Sequence, residues 1–314
     1  MDLDQNRPAQ ALPQFITATE GFKQWGALNE AIYTSIGQVS SYLALLDGRS
    51  ALRVADDAGS LAQRIDNKTT LDSLTLARAR VLARVGRLRE ARDALDRLRR
   101  ASTDPTMVAA AGAVLAPLEL NDNNVAAASD LAEQSVAVLT GQSNSALRAE
   151  AWLTAVRAAL HGANPAHAAD RAAAFEQWAE QINAPRPRLF ARLAQAEYAL
   201  RFGASEDWHK AFDAARDLAA RDGVPYEIAV VARSYADALL ADNDIAAAAV
   251  EVGRVSRWSE QDFACAVLEA RLYAALGRNE ARQTAVSRAR ALAGERSLPP
   301  DALAVPISTR AAKQ

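Results

Sequence analysis

The chain has 314 residues, half of them apolar, enough for a large core laid out as two compact domains or one elongated array. Its formal net charge of -2 excludes a global field that would draw nucleic acid or an anionic membrane, so any charged site must be local. With only 14 glycines and 11 prolines among long stretches of Ala, Leu, Arg, Glu and Asp, a strand-rich fold is excluded and an all-α protein is expected.

Residues 1–10, "MDLDQNRPAQ", are polar and acidic, unlike a secretory signal, and are expected to form a flexible tail. The next stretch places Ala11, Phe15, Ala18 and Phe22 on one helical face before a turn at Gly26. It reads as the second helix of a hairpin whose first helix is missing, either a terminal cap or the start of a fragment of a longer protein. A weak hairpin turn follows near Gly48.

The first strong hairpin is centred on Gly86: Ala79 and Leu82 precede it, and Leu88, Ala91, Leu95 and Leu98 follow at spacings of three and four. Asp104-Pro105 and Asn164-Pro165 each set a capping side chain before a proline at the first helical position. Pro117 is expected to kink its helix. A further copy opens with "AEAWLTAV" at Ala149, turns near Ala163 and continues with Ala168, Ala172 and Phe175.

Weaker turns fall near Asn123 and Gly203, and Ser205 followed by two acids reads as a helix start. Residues 221–227, "RDGVPYE", end one helix on Gly223 and restart at Pro225. Around Asn243, Ala236 and Leu239 precede the turn, with Ile245, Ala248, Val252 and Val255 after it; around Gly277 the same places hold Ala270 and Tyr273, then Ala281 and Ala285. Among the tryptophans, Trp258 is the one expected to be exposed, whereas Cys265 lies in an apolar helical pattern and is expected to be buried. Residues 294–314 are expected to form a mobile end or an extended strap.

Turns at 86, 123, 163, 203, 243 and 277 recur every 34 to 40 residues. That period belongs to helical-hairpin solenoids, in which no hairpin buries its apolar face alone and neighbours stack into a continuous core. Residues 11–293 are therefore expected to form a right-handed α-α superhelix, an α-solenoid of about seven antiparallel hairpins. "AEAW" at 149–152, the turn glycines Gly86 and Gly277, and the second-helix alanines Ala91, Ala168 and Ala248 resemble the tetratricopeptide repeat family. The style of the array is similar to the C-terminal repeat region of bacterial multidomain regulators. The resemblance implies a scaffold that binds a protein segment in a groove lined by the first helix of each hairpin.

The positions that would line that groove are Arg80 and Arg84, Arg157 and His161, Arg233 and Asp237, and Arg271. A row dominated by arginine suits an acidic peptide or a terminal carboxylate. The run 78–100 holds nine arginines against three interleaved acids and reads as a solvated helical face, so no direct nucleic-acid contact is expected. No phosphate-binding glycine loop, nucleophile elbow or zinc-binding helix motif occurs, and the three histidines have no cysteine nearby. The expectation is thus a non-enzymatic cytoplasmic module without metal, cofactor or membrane span. The second reading is a small-ligand-sensing repeat domain of a transcriptional regulator.

Overall fold

The computed structural model describes residues 6–141, 145–162, 164–182, 184–203 and 207–303, and all regular structure among them is helical. The expected turn at Ala163 and the expected helix start at Ser205 lie outside the described residues. The chain divides into two compact units, residues 1–227 and 228–314.

The first unit contains α1 (Pro8–Gln24), α2 (Leu28–Ala44), α3 (Gly48–Ala62), α4 (Lys68–Val85), α5 (Leu88–Ala101), α6 (Pro105–Asn121), α7 (Val125–Val138), α8 (Ser145–His161), α9 (Pro165–Ile182), α10 (Pro185–Phe202) and α11 (Asp207–Asp222). It also contains the first turn of α12 (Pro225–Ala241). Consecutive helices pack together, and α2, α4, α6, α8 and α10 also touch one another in sequence, forming an inner row. The first helix of every hairpin in this unit is in that row. α1 starts at Pro8, earlier than the sequence suggests, so residues 8–10 belong to a helix and not to a tail.

The turns explain the period. In six of them the same backbone bond closes the helix end: Ala27 N to Phe22 O, Asp47 N to Tyr42 O, Arg87 N to Leu82 O, Asn124 N to Glu119 O, Asp244 N to Leu239 O, and Arg278 N to Tyr273 O, all between 2.8 and 2.9 Å. This is the six-to-one bond of a helix terminus that requires a residue of positive φ one position earlier. Gly86 (φ 83°) and Gly277 (φ 67°) meet that requirement without a Cβ clash, and Asn123 and Asn243 meet it as the next most tolerant residue type. At the turn expected near Gly48, the left-handed residue is Leu46 (φ 65°), and Gly48 is the first residue of α3.

Caps then restart the chain. Asp104 Oδ1 accepts from Thr106 N at 2.8 Å, Asn164 Oδ1 from Ala166 N at 3.1 Å, and Asp47 Oδ1 from Ser50 N at 2.9 Å. The repeat alanines Ala79, Ala91, Ala168, Ala236, Ala248 and Ala270 are all fully buried, where a small side chain lets helices approach closely. A glycine serves that purpose in α2, where a Cβ on Gly37 would sit 2.5 Å from the Phe15 ring of α1. α6 is apolar all round and buried from Ala109 to Ala116, as a central helix must be. Helical structure continues through Pro117 to Asn121, the site of the expected kink.

The second unit holds the rest of α12, α13 (Ile245–Val255), a 3-10 turn (Ser256–Trp258), α14 (Phe263–Ala275), α15 (Asn279–Ala293) and α16 (Pro300–Leu303). Among the described residues, the two units together contain seven hairpins, from α2/α3 to α14/α15. Part of the C-terminal segment is a strap that ends in α16: Ala302 is buried against α14 and α15, and Leu303 O accepts from Arg282 Nη1 at 2.7 Å. Residues 304–314 of that expected tail lie outside the described residues. Trp258 corrects the sequence reading, being 8% exposed with the Arg257 guanidinium 4.1 Å over its ring; the exposed tryptophan is Trp25, at 80%. Cys265 is buried, as expected.

Candidate partner-binding face

Along the inner row, residues separated by three, four, seven or eleven positions share a helix face. Arg80 and Arg84 share one on α4, Glu150 and Arg157 one on α8, and Arg186 and Glu197 one on α10. In the first unit these faces converge. Arg157 meets Glu197 in a bidentate pair, Nε to Oε2 at 2.9 Å and Nη2 to Oε1 at 2.6 Å. Arg80 reaches Glu150 at 3.9 Å although α6 lies between their helices in sequence.

The centre of the cluster is Arg186. Its Nε donates to Glu227 Oε1 at 2.7 Å, and its Nη1 lies 3.7 Å from Glu150. Glu227 is fully buried and also accepts from Asn6 Nδ2 at 2.8 Å. Burial works against the charge on Arg186, but the attraction of Glu227 and Glu150 outweighs it and holds the guanidinium above its ordinary value. Beside it stands the Tyr226 ring, with Arg84 at 4.5 Å and Arg186 at 5.7 Å from its centroid and Phe190 edge-on at 6.4 Å. Burial raises the Tyr226 phenol above its ordinary value, and the charge of Glu150 adds to it; Arg84, Arg186 and Arg80 pull the other way.

Of the seven residues singled out in the sequence, the first unit therefore brings together Arg80, Arg84 and Arg157, and each faces a carboxylate or a ring of the chain itself. His161 is exposed at the end of α8. In the second unit Arg271 bridges two acids, Asp237 of α12 and Asp301 of α16, the latter at 2.6 Å. Arg233 is exposed one turn before Asp237. In the first unit the charges of this face are matched by carboxylates of the chain itself, where the sequence suggested a row dominated by arginine.

Sequence reasoning does not find Glu150, Glu197, Arg186, Tyr226 and Glu227. Faint signals exist for three of them: Glu150 lies seven residues before Arg157, Glu197 is a lone acid in the apolar run "RLAQAEYAL", and Arg186 stands between two prolines. Among the described residues no group of three or more His, Cys, Asp or Glu side chains could hold a metal ion, and no helix is long and apolar enough to cross a membrane.

No protein-family model matches the chain, and neither does any curated protein. A solved structure, that of a Rap protein complexed with competence and sporulation factor, is similar with a TM-score of 0.56 over 84% of this chain and 78% of that one, at 12% sequence identity. At that identity the likeness is one of fold, an all-helical array of antiparallel hairpins.

Proposed function

We propose that the chain is a non-enzymatic scaffold for protein-protein interaction, the partner-reading part of a cytoplasmic bacterial regulatory protein, and that a partner segment lies along the inner row of first helices. The observation that carries this reading is the convergence of charged, part-exposed side chains from α4, α8 and α10 on one face of the first unit. Arg80 and Arg157 keep 24% and 25% of their side-chain surface in solvent. An acidic segment would compete with Glu150 for Arg80, where the 3.9 Å pair is loosest, and then with Glu197 for Arg157. Arg84, Arg186 and Glu227 brace the scaffold beneath. In the second unit Arg233 and Arg271, beside Asp237, offer a charged cluster of their own to a partner. His161 would contact a partner at the edge of the first-unit face. The Rap neighbour, solved with a bound factor, supports such a use of this fold.

The test is partner capture from lysate with the full chain and with a variant in which Arg80, Arg157, Arg233 and Arg271 are all Ala, each at low and high salt. A partner held by the wild type alone, and released by salt, supports the reading. The same partner on both proteins rejects the arginines as its contacts. A second reading, a small-ligand sensor within a transcriptional regulator, is favoured by one observation, a cavity between α5, α6 and α7.

A further inference from the structure

That cavity, of about 450 Å³, lies between the end of α5, the first half of α6 and the last turns of α7. Its walls are largely apolar, with Pro105 and Val108 from α6 and Leu131 and Val138 from α7. At one side Gly112 lets α6 and α7 approach closely, because a Cβ there would come 3.0 Å from Ser135 Oγ. The Ser135 hydroxyl is already engaged with the carbonyls of Ala109 at 2.8 Å and Leu131 at 2.7 Å.

Arg99 also lines the cavity, and its guanidinium, buried at Nε, contrasts with those of Arg87 and Arg92, which are paired with acids. Arg87 pairs with Glu90, and Arg92 with Glu119 and Asp122. Among the described residues no carboxylate pairs with Arg99, and its buried Nε–H has no acceptor. A buried donor left unmatched is unfavourable, and a cation beside an apolar cavity sets the charge its occupant should carry.

We propose that the cavity binds a small monocarboxylate with an apolar tail. The tail packs on Val108, Leu131 and Val138, and the Arg99 guanidinium turns to meet the carboxylate as a two-bond fork. The volume falls within the usual range for small-molecule sites, about 300 to 1,000 Å³. This inference does not rest on the inner-row reading, and its failure leaves that reading untouched.

The probe is sodium octanoate, kept below the concentration at which it forms micelles, with octan-1-ol as the neutral counterpart. Binding to the full chain is followed by amide chemical shifts and calorimetry. The expected result is saturable octanoate binding that shifts residues of α5, α6 and α7, with octan-1-ol about tenfold weaker, equivalent to about 1.4 kcal/mol. Arg99→Met should lower octanoate to the octan-1-ol level, and Val138→Trp, which fills the cavity from its exposed edge, should abolish both. A thermal melt confirms that each variant is folded. Equal affinity for the two probes, octanoate affinity unchanged in Arg99→Met, or no saturable octanoate binding overturns the proposal.

Discussion

Arg186 and Glu227 meet at 2.7 Å with the carboxylate wholly out of water, joining α10 to the first turn of α12. Such a pair is weak evidence of net stability, because desolvating both ions offsets most of their attraction, but removing one partner strands the other. Glu227→Ala should therefore cost about 3 to 5 kcal/mol in denaturant unfolding, and Arg186→Met/Glu227→Leu should recover most of that loss. A double change as destabilising as the sum of the single ones would show that the pair does not act as a unit.

Tyr226 supplies a pH prediction. Its phenol is raised in the folded state, so below about pH 10 both folded and unfolded chains carry the proton and the group adds no pH dependence. Above that, the unfolded chain releases the proton first, and stability falls until the folded phenol ionises as well. Absorbance of tyrosinate should show one of the six tyrosines titrating late in the native protein. Tyr226→Phe should remove that late step and flatten the alkaline loss of stability.

Two glycines should respond in opposite directions to the same change. Gly277 turns the chain at φ 67° with open space around it, so Gly277→Ala carries only the conformational penalty of a left-handed alanine, about 1 to 2 kcal/mol. Gly253 sits inside α13, also with open space, and Gly253→Ala should stabilise by about 0.5 to 1 kcal/mol. Thermal midpoints that move the same way in both variants would contradict this account of the turn.

Trp25 should be the tryptophan that iodide quenches. It is 80% exposed, while Trp152, Trp178, Trp208 and Trp258 are each 6 to 8% exposed. Trp25→Phe should abolish the accessible part of the fluorescence and leave the rest unchanged. Quenching that survives this substitution would show that one of the buried rings opens to solvent.

What is legible in the sequence follows from locality. The turns at Gly86, Asn243 and Gly277 can be read because a positive φ calls for Gly or Asn at that place, and the buried alanines because close helix contact calls for a small side chain every few residues. Leu46 adopts the same left-handed backbone without advertising it, so the sequence points to Gly48, two residues late. Trp258 misleads because its flanks are polar, although the 3-10 turn folds the ring inward. The inner-row arginines can be found, but their counter-charges lie 40 residues away for Arg157 and 70 for Arg80. Helical periodicity carries no information at that range.

The bond between Asn6 and Glu227 spans 221 residues, and the stacking of Arg84 on Tyr226 spans 142. Repeat arrays ordinarily lose structure piecemeal, because each unit answers only to its neighbours. These ties give the first unit long-range closure, which can form only after the intervening hairpins have folded and which carries a large entropic cost of its own. Its ends and its middle are thereby committed to one another, so residues 6–227 should unfold in a single cooperative step where an untied array of the same hairpins would fray from its termini.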